Sequence, residues 1–483
     1  MASRAHQRKY SDVVEPRFTP QRLALIYVVL VGLPVVGLVA ILRLGRALIS
    51  GGPAATAPLP SAPGSVALNL PLLLAQIIVI VLAARLTGRI LARLGQPRVI
   101  GEMLAGIILG PSVLGSLVPG FSATLFPPAS LGFLSALSQI GLLFFMFVVG
   151  LEIDPTHLRE RGETALVTSH ASIAVPFLMG TALALFLYTR LAPKGVEFAG
   201  FALFVGAAMS VTAFPVLARI LVERRLMRTR LGTIAIACAA VGDVSAWCIL
   251  AAVVVLARHG RAGVPLWVTI GGTLVFVSLM ATVGKTSLRR LVERFGSGGV
   301  FGADLLAVVL VSVLVSAWIT ERLGIHALFG AFLLGALMPR DEQVVQALRG
   351  QIENVMVVLL LPLFFAFTGL RTRIGLIGGT EQWLVCGLVT LVAVAGKFGG
   401  TTIAARVTGL QWRESLALGA MMNTRGLMEL IILNIGLDIG VISPTLFAMM
   451  VLMALVTTTM TTPVLAWLHP PARVLKRQVQ RAS

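Results

Sequence analysis

Apolar runs dominate the chain, and most of them are long enough to cross a membrane as helices. A spanning helix needs about 20 predominantly apolar residues, and polar or Gly- and Pro-containing stretches separate such runs along the sequence. The pattern predicts fourteen helices: 23–42, 70–92, 98–113, 131–151, 165–189, 197–218, 232–257, 264–284, 303–320, 325–339, 354–370, 383–405, 414–436 and 444–468. The predicted fold class is therefore an all-α polytopic membrane protein.

Composition and charge support this class. Of 483 residues, 57% are hydrophobic and 12% are charged, whereas soluble domains carry about 25% charged residues. The net charge of +19 raises the question of nucleic acid, but topology explains it: with the N-terminus inside, 28 of the 39 Lys and Arg residues fall on the inner side and 9 on the outer side. Such an excess marks the cytoplasmic face. We therefore expect cytoplasmic termini, contact with anionic lipid and no nucleic-acid partner.

The chain divides into three predicted parts. Residues 1–67 hold a cytoplasmic N-terminus, one additional helix and a linker rich in Gly, Pro, Ala and Ser; residues 68–468 form the membrane domain; residues 469–483 form a short basic tail. No Cys or His spacing typical of a metal site and no glycine pattern typical of a nucleotide site is visible, so no metal and no cofactor are expected.

Three pairs of segments within the membrane domain resemble each other, in the same order and with offsets of 225, 219 and 213 residues. They are LAGIILG (104–110) with FGAFLLG (329–335), FFMFVVGLEID (144–154) with LFFAFTGLRTR (363–373), and LFVGAAMSVTA (203–213) with LALGAMMNTRG (416–426). These pairs predict repeats over 68–257 and 303–468, joined by a connector helix 264–284. Equivalent positions lie seven helices apart, so the two repeats are inverted in the membrane, as in many secondary transporters. A duplication kept only for packing is the alternative.

Ionisable side chains inside the predicted helices mark candidate functional positions. Asp243 is the sole acidic residue between Glu223 and Glu293, and Lys397 lies in the helix 383–405. A charge at the bilayer centre costs about 2.5 to 3.5 kcal/mol on insertion scales. Asp243 has no partner within its own helix, and Lys397 from the other repeat is its nearest plausible charge partner; a structural ion pair is the alternative.

A second buried pair, Arg425 and Glu429, has the i, i+4 spacing that places two side chains on one helix face. For this pair we favour a structural role, as an ion pair of the core.

The predicted helix 197–218 contains the sequence SVTAFPVLAR. Pro215 removes a backbone donor and clashes with the carbonyl near Val211, while Ser210 and Thr212 place hydroxyl groups at the same level. The aligned segment of the second repeat contains Asn423, Thr424 and the helix-weakening Gly426.

Two interrupted helices at equivalent positions of inverted repeats indicate a binding site. Proline kinking with polar packing is the alternative.

A carboxylate and opened backbone in a hydrated cavity suit a monovalent cation or a proton. Burial favours the protonated acid and a nearby cation favours the carboxylate, so the two ligands compete for one group. Because the empty anionic site is costly to move through apolar surroundings, a carrier that moves only when loaded exchanges one ligand for the other. The residues themselves thus indicate antiport.

The motifs together resemble the monovalent cation:proton antiporter-2 family, which includes Kef-type bacterial proteins and plant cation/proton exchangers. The resemblance covers about residues 68–468 and rests on GEMLAGIILGPSVLG (101–115), GLLFFMFVVGLEID (141–154), TAFPVLARIL (212–221), GIHALFGAFLLGALMP (324–339), LLPLFFAFTGLRT (360–372) and MMNTRGLMELIILNIG (421–436).

The resemblance implies the sodium/proton-antiporter fold, with a dimerisation domain, a transport core that moves as an elevator, and two unwound helices that cross in that core. It also implies a homodimer, and we expect a bacterial plasma membrane. Asp243 matches the essential ion- and proton-binding aspartate of the family, Lys397 matches the basic residue of the facing core helix, and Thr212 and Pro215 match the crossover motif.

One position departs from the family pattern. Family members usually have Asn, Asp or Gln before the aspartate, and this chain has Gly242. Glycine cannot pair with the lysine, so Lys397 pairs with Asp243 or another acceptor, or stands alone. Electroneutral exchange of a proton for K⁺ or Na⁺ is therefore the leading prediction.

Two other functions stay open beside this one. In the first of these, a protein of the same fold exports an organic ion or an ionophore–cation complex. In the other, the protein is a membrane sensor that transports nothing. An enzyme is not expected, since no nucleophile–base constellation is visible.

Overall fold

The structure is a computed structural model that describes residues 20–51, 69–152, 163–224, 226–227, 229–258, 266–296, 303–339 and 341–468. Residues 1–19, most of the predicted linker and the predicted tail 469–483 lie outside this description.

Apolar helices make up nearly all of the described chain. We number them α1 (20–45), α2 (Leu70–Arg93), α3 (Arg98–Leu109), α4 (Leu131–Glu152), α5 (Glu163–Leu191), α6a (Phe198–Ser210), α6b (Phe214–Glu223), α7 (Arg230–Arg258), α8 (266–296), α9 (Ala303–Arg322), α10 (Ala327–Leu337), α11 (342–371), α12 (379–407), α13a (Trp412–Met422), α13b (Leu427–Asp438) and α14 (Pro444–Leu468). Within these described ranges, twelve spans are long and apolar enough to cross a membrane, α13a and α13b form one bent pair at 42°, and α10 is a shorter apolar helix. The predicted all-α membrane fold is confirmed.

One predicted helix is too long. The predicted helix 98–113 corresponds to α3, which stops one residue before Gly110, where the backbone is extended. Pro111 follows, and the residue before a proline disfavours the helical conformation. Two short helices, Leu114–Leu117 and Pro119–Leu125, then lead towards α4.

Two helices are longer than predicted. The predicted helix 264–284 continues to Gly296 as α8, and the predicted helix 354–370 begins at Glu342 as α11, capped by the Asp341 side chain, which accepts a hydrogen bond from the Gln343 amide. Both extensions are amphipathic and polar, so a search for apolar runs ends where the charges begin although the helix does not.

Helices of the two predicted repeats pack crosswise through glycines. α3 packs on α11, and α4 packs on α10. A Cβ atom on Gly110 would lie 2.5 Å from the Gly369 carbonyl oxygen, and one on Gly335 would lie 3.0 Å from the Gly150 Cα, so both contacts require glycine. Gly335 lies 225 residues after Gly110, and Gly369 lies 219 residues after Gly150. These are two of the offsets found between the repeats, so the two contacts are equivalent, as an inverted repeat requires. The repeat boundaries themselves stay a prediction.

The helices pack in two groups. α2, α3, α4, α9, α10 and α11 pack mainly on one another, and we call them the scaffold group. α5, α6, α7, α12, α13 and α14 form the core group. The most deeply buried part of the core group surrounds the two helix breaks, where Phe204, Met428 and Phe447 have no exposed surface.

The additional helix α1 lies against the core group. Gly37 contacts the Leu178 side chain, Gly45 contacts the Phe198 ring, and the Tyr27 hydroxyl lies 3.4 Å from the His170 Nδ1. The opposite face of α1 exposes valine and leucine side chains, which is the pattern of a helix with one side in lipid.

Candidate functional site

The first helix break separates α6a from α6b at residues 211–213. Val211 and Ala213 leave the helical conformation, with ψ values of 144° and 88°. Pro215 is the second residue of α6b, where the missing amide hydrogen would have had no helical partner. Proline thus ends one helix and starts the next, as the sequence predicts.

The second break separates α13a from α13b at residues 423–426. Gly426 has φ +154° and ψ −125°, a conformation open essentially to glycine alone. The two breaks contact each other directly, because the Ala213 amide donates to the Thr424 carbonyl at 3.0 Å and the Thr212 hydroxyl donates to the Met422 carbonyl at 3.2 Å. The structure therefore brings the two predicted break segments together.

Two buried cations end the first half-helix. The Lys397 ammonium donates to the Ser210 carbonyl, and the Arg425 guanidinium donates to the carbonyls of Met209, at 2.8 Å, and Ala208, at 3.2 Å. These are the last carbonyls of α6a, which lack partners within the helix. Positive charge also stabilises the negative end of the helix dipole.

The half-helix α13a ends on hydroxyl groups instead. The Met422 carbonyl accepts from Thr212, and the Ala420 carbonyl accepts from the Thr461 hydroxyl at 3.2 Å. Positive charge therefore concentrates on the α6a side of the crossing.

Arg425 and Glu429 form the predicted ion pair. The Nη1 and Oε1 atoms lie 3.1 Å apart, and the side chains are 0% and 1% exposed. Thr458 on α14 fixes the backbone beside them: its hydroxyl accepts from the Arg425 amide at 2.9 Å and donates to the Arg425 carbonyl at 2.7 Å. Sequence reasoning missed Thr458, which is one of several Thr residues in the run TTTMTT.

Asp243 lies near the middle of α7 and is 2% exposed. α7 packs against α6a, α6b and α13a, which places Asp243 in the same buried region as Lys397, Arg425 and Glu429. Four ionisable groups from α7, α12 and α13 thus share one buried region. The acceptor shown for the Lys397 ammonium is the backbone carbonyl of Ser210, which is one of the arrangements that Gly242 leaves open.

Gly242 leaves room beside Asp243. A Cβ atom at this position would meet the Ser169 Oγ at 4.0 Å and no closer neighbour. The Ser169 hydroxyl donates to the Cys238 carbonyl at 2.9 Å, and so ties α5 to α7 one turn away. Packing alone therefore does not demand a glycine here.

Two of the four polar residues at the breaks have side-chain oxygens that accept no hydrogen bond in the described structure. They are the Asn423 Oδ1 and the Thr424 Oγ1, both buried. The Ser210 hydroxyl instead donates to the Ala207 carbonyl at 2.8 Å within its own helix. Thr212 is bonded to α13a, as described above. Within the described structure, the Asn423 Oδ1 and the Thr424 Oγ1 are therefore buried acceptors at the second break that remain available for a ligand.

Two further buried polar groups escaped the sequence analysis. Glu102 on α3 is 7% exposed, and its neighbouring charges are Arg219, Arg85 and Arg98. Glu102 is the acidic residue of GEMLAG and is visible within an apolar run. It was not selected as a candidate because it lies close to the start of the predicted helix. The second group is Arg371 on α11, whose guanidinium donates to Asn434 and Asp438 on α13b. Among the described residues, no three His, Cys, Asp or Glu side chains cluster as metal ligands do.

Two broken helices that cross beside buried charges in an all-helical membrane protein are an architecture found in several classes of secondary transporter. The solved structure of the sodium proton antiporter MjNhaP1 from Methanocaldococcus jannaschii matches this chain with a TM-score of 0.60 and 15% sequence identity. The match covers 83% of this chain and 97% of that one. At this identity the likeness establishes the fold.

The sequence matches the family model described as sodium/hydrogen exchanger, transmembrane, over residues 77–468. The chain belongs to the sodium/hydrogen exchanger family and is an integral membrane protein.

Curated relatives share much of the sequence. The chain is 45% identical to the Na⁺/H⁺ antiporter NhaS4 of Synechocystis sp. over 83% of its own length and 97% of the relative's. It is 42% identical to Cation/H⁺ antiporter 17 of Arabidopsis thaliana and 33% identical to K⁺/H⁺ antiporter 1 of Saccharomyces cerevisiae. It spans about half the length of these two eukaryotic proteins, 50% and 47%.

Proposed function

We propose that this protein exchanges protons for a monovalent cation, Na⁺ or K⁺, across the membrane. The observation that carries the proposal is the buried Asp243 carboxylate, which lies among Lys397, Arg425 and Glu429 where two broken helices cross. The relatives named as Na⁺/H⁺ and K⁺/H⁺ antiporters support the choice of substrates. Their names differ in the cation, so either ion fits the proposal.

In the proposed cycle, Asp243 binds a proton or a cation, one at a time. Burial favours the neutral, protonated acid, and a cation replaces the proton by compensating the carboxylate charge. The oxygens of Asn423 and Thr424 complete the cation site, because both are buried and accept no hydrogen bond in the described structure. The unloaded carboxylate is too costly to carry past apolar surroundings, so the site crosses only when loaded.

Lys397 and Arg425 have different parts in this proposal. Both stabilise the end of α6a through its last carbonyls. Lys397 also balances the charge of Asp243 while the site is empty. Arg425 is held by Glu429 and keeps the two breaks in contact throughout the cycle.

The movement that changes access is an elevator motion of the core group against the scaffold group. Each group packs mainly within itself, and the predicted inverted repeats supply the two symmetry-related states. We further propose a homodimer in the plasma membrane with cytoplasmic termini, on the strength of the family resemblance and the distribution of Lys and Arg.

Proton flux in proteoliposomes tests the proposal. Addition of Na⁺ or K⁺ to vesicles with an imposed pH gradient should dissipate the gradient when the protein is present. Asp243→Asn should abolish this flux, because the amide cannot exchange a proton, while Asp304→Asn, at an exposed position at the start of α9, should leave it unchanged. Failure of Na⁺, K⁺, Li⁺ and Rb⁺ alike to dissipate the gradient would refute cation antiport, and normal flux by Asp243→Asn would refute the site.

A further inference from the structure

A row of polar side chains joins the scaffold group to the core group at one end of the molecule. Arg371 on α11 donates to the Asp438 carboxylate at 2.6 Å and to the Asn434 Oδ1 at 3.0 Å, both on α13b. The Asn434 amide in turn donates to the Thr368 hydroxyl at 2.9 Å, back on α11. We call these four residues the polar ladder.

The ladder has a regular construction. Thr368 and Arg371 lie one turn apart on α11, and Asn434 and Asp438 lie one turn apart on α13b, so each helix presents two groups to the other. The Arg371 guanidinium also lies 5.3 Å from the centre of the Phe367 ring, which holds it over its own helix. The side-chain amide of Asn434 is fully used. Its Oδ1 accepts from Arg371, and its Nδ2 donates both to the Thr368 hydroxyl and to the Leu430 carbonyl, the latter at 2.9 Å.

The exposure of the ladder residues increases from one end of the ladder to the other. Thr368 and Asn434 are 2% and 7% exposed, whereas the Asp438 side chain is 47% exposed. A small cleft, lined by Gln139, His326, Asn434 and Asp438 among others, lies beside it. Water in this cleft can replace the ladder's hydrogen bonds when the helices separate.

The ladder connects mechanically to the helix breaks. α13b is a 12-residue helix, about 18 Å long at the standard rise, and it starts at Leu427, directly after Gly426 and beside the Arg425–Glu429 pair. A helix of this length moves as a rigid body, so displacement at Asp438 reaches the break. The contact therefore bears on the site although it does not touch it.

We propose that the polar ladder is a positioning contact that closes the path between the scaffold and core groups at its own end of the protein, and that it opens once in every exchange cycle. This inference rests on the proposed function, since only a transporter needs the two groups to separate. Arg371, Asn434 and Thr368 act by setting the population of the two access states, and they contact neither proton nor cation in the site.

Cross-linking tests the proposal directly. The native Cys238, Cys248 and Cys386 are replaced by Ala, and Thr368→Cys is combined with Asn434→Cys, whose present side-chain atoms lie 2.9 Å apart. Closure with a short bifunctional methanethiosulfonate, which forms a disulfide with each thiol and releases methanesulfinate, should reduce cation-driven proton flux at least about tenfold. Reduction of the two disulfides by an added thiol should restore the flux.

A matched pair controls for cross-linking itself. Ser112→Cys with Thr372→Cys joins the turn after α3 to the residue that follows α11, both within the scaffold group, where the Ser112 hydroxyl donates to the Thr372 carbonyl at 2.6 Å. This link should leave the flux unchanged at equal yield. Full flux through the closed Thr368–Asn434 pair would overturn the ladder and leave the proposed function standing. Loss of all flux in the unmodified protein would overturn the proposed function and the ladder with it.

A second measurement separates positioning from simple support. Asp438→Asn weakens a half-exposed ion pair and should change the state populations by up to about fivefold. The apparent KM for the cation should then fall on the face that carries the ladder and rise on the opposite face, with the maximal rate little changed. Shifts in the same direction on both faces would show a general loss of structure and would contradict the proposal.

Thr368→Ser should keep the wild-type KM values, and Thr368→Val should shift them as Asp438→Asn does.

Discussion

Arg425 is the side chain whose removal the structure predicts to be most damaging. It is fully buried and donates three hydrogen bonds, to the Ala208 carbonyl, the Met209 carbonyl and the Glu429 carboxylate. Arg425→Met removes all three and leaves Glu429 without its cation. Removal of one partner from a buried pair costs about 3 to 5 kcal/mol, and each lost hydrogen bond to a charged group about 1.5 to 3 kcal/mol.

These contributions overlap, because one guanidinium makes all of the contacts. Even the lower figure is a large part of a typical stability of about 5 to 15 kcal/mol. Arg425→Met should therefore unfold at a much lower temperature in detergent, as followed by the loss of the monodisperse protein in size-exclusion chromatography. The unfolding temperature of Arg425→Lys should lie between those of the wild type and Arg425→Met, since an ammonium keeps the charge but does not reproduce the guanidinium fork.

A double variant and a surface control make this prediction sharp. Arg425→Met combined with Glu429→Leu removes both charges and should recover part of the stability that Arg425→Met loses. Arg289→Met breaks an exposed i, i+4 pair with Glu293, 3.7 Å apart, and should change stability by no more than about 0.5 kcal/mol. Wild-type stability of Arg425→Met, or a double variant no more stable than the single one, would refute the structural reading of the pair.

Three further predictions concern the crossing. Thr212→Val leaves the Met422 carbonyl without its donor, costs about 1 to 3 kcal/mol and should slow proton flux severalfold, whereas Thr212→Ser should be near wild type; equal rates for both would contradict the contact. Gly426→Ala places a Cβ 3.1 Å from the Val216 side chain at φ +154°, costs about 1 to 3 kcal/mol of strain and should lower the unfolding temperature, while an unaltered temperature would contradict the assigned conformation. Gly242→Asp has room for its side chain and supplies a second acid; exchange should become dependent on membrane potential, and potential-independent flux would count against Gly242 as the cause of electroneutrality.

The helices and the first break were predictable because local chemistry specifies them. Hydrophobic run length gives the spans, and the position of Pro215 places the break in α6 because proline starts a helix well and continues one badly. Gly426 marked the second break only through its alignment with the first. Helix ends that continue as polar amphipathic helices, as in α8, were missed because membrane hydrophobicity carries no information about them.

Partners across the fold were harder to predict than positions along it. Ser210 was selected for its hydroxyl, but the structure uses its carbonyl as the acceptor for Lys397, and a carbonyl is present on every residue. Arg371 reads in the sequence as a loop charge at the end of a helix, and only the packing of α11 on α13b shows that it meets Asn434. Side-chain type predicts which groups are costly to bury, while tertiary packing decides what compensates them.

The claim that the proton and the cation share Asp243 has one most direct test, the pH dependence of the apparent KM for the transported cation in proteoliposomes. If both ligands compete for one carboxylate, the KM should rise about tenfold for each unit that the pH falls below the range in which the site loses its proton, while the maximal rate at saturating cation stays constant. A KM that does not change with pH, together with a maximal rate that falls in acid, would show that proton and cation bind at separate sites and would contradict the account.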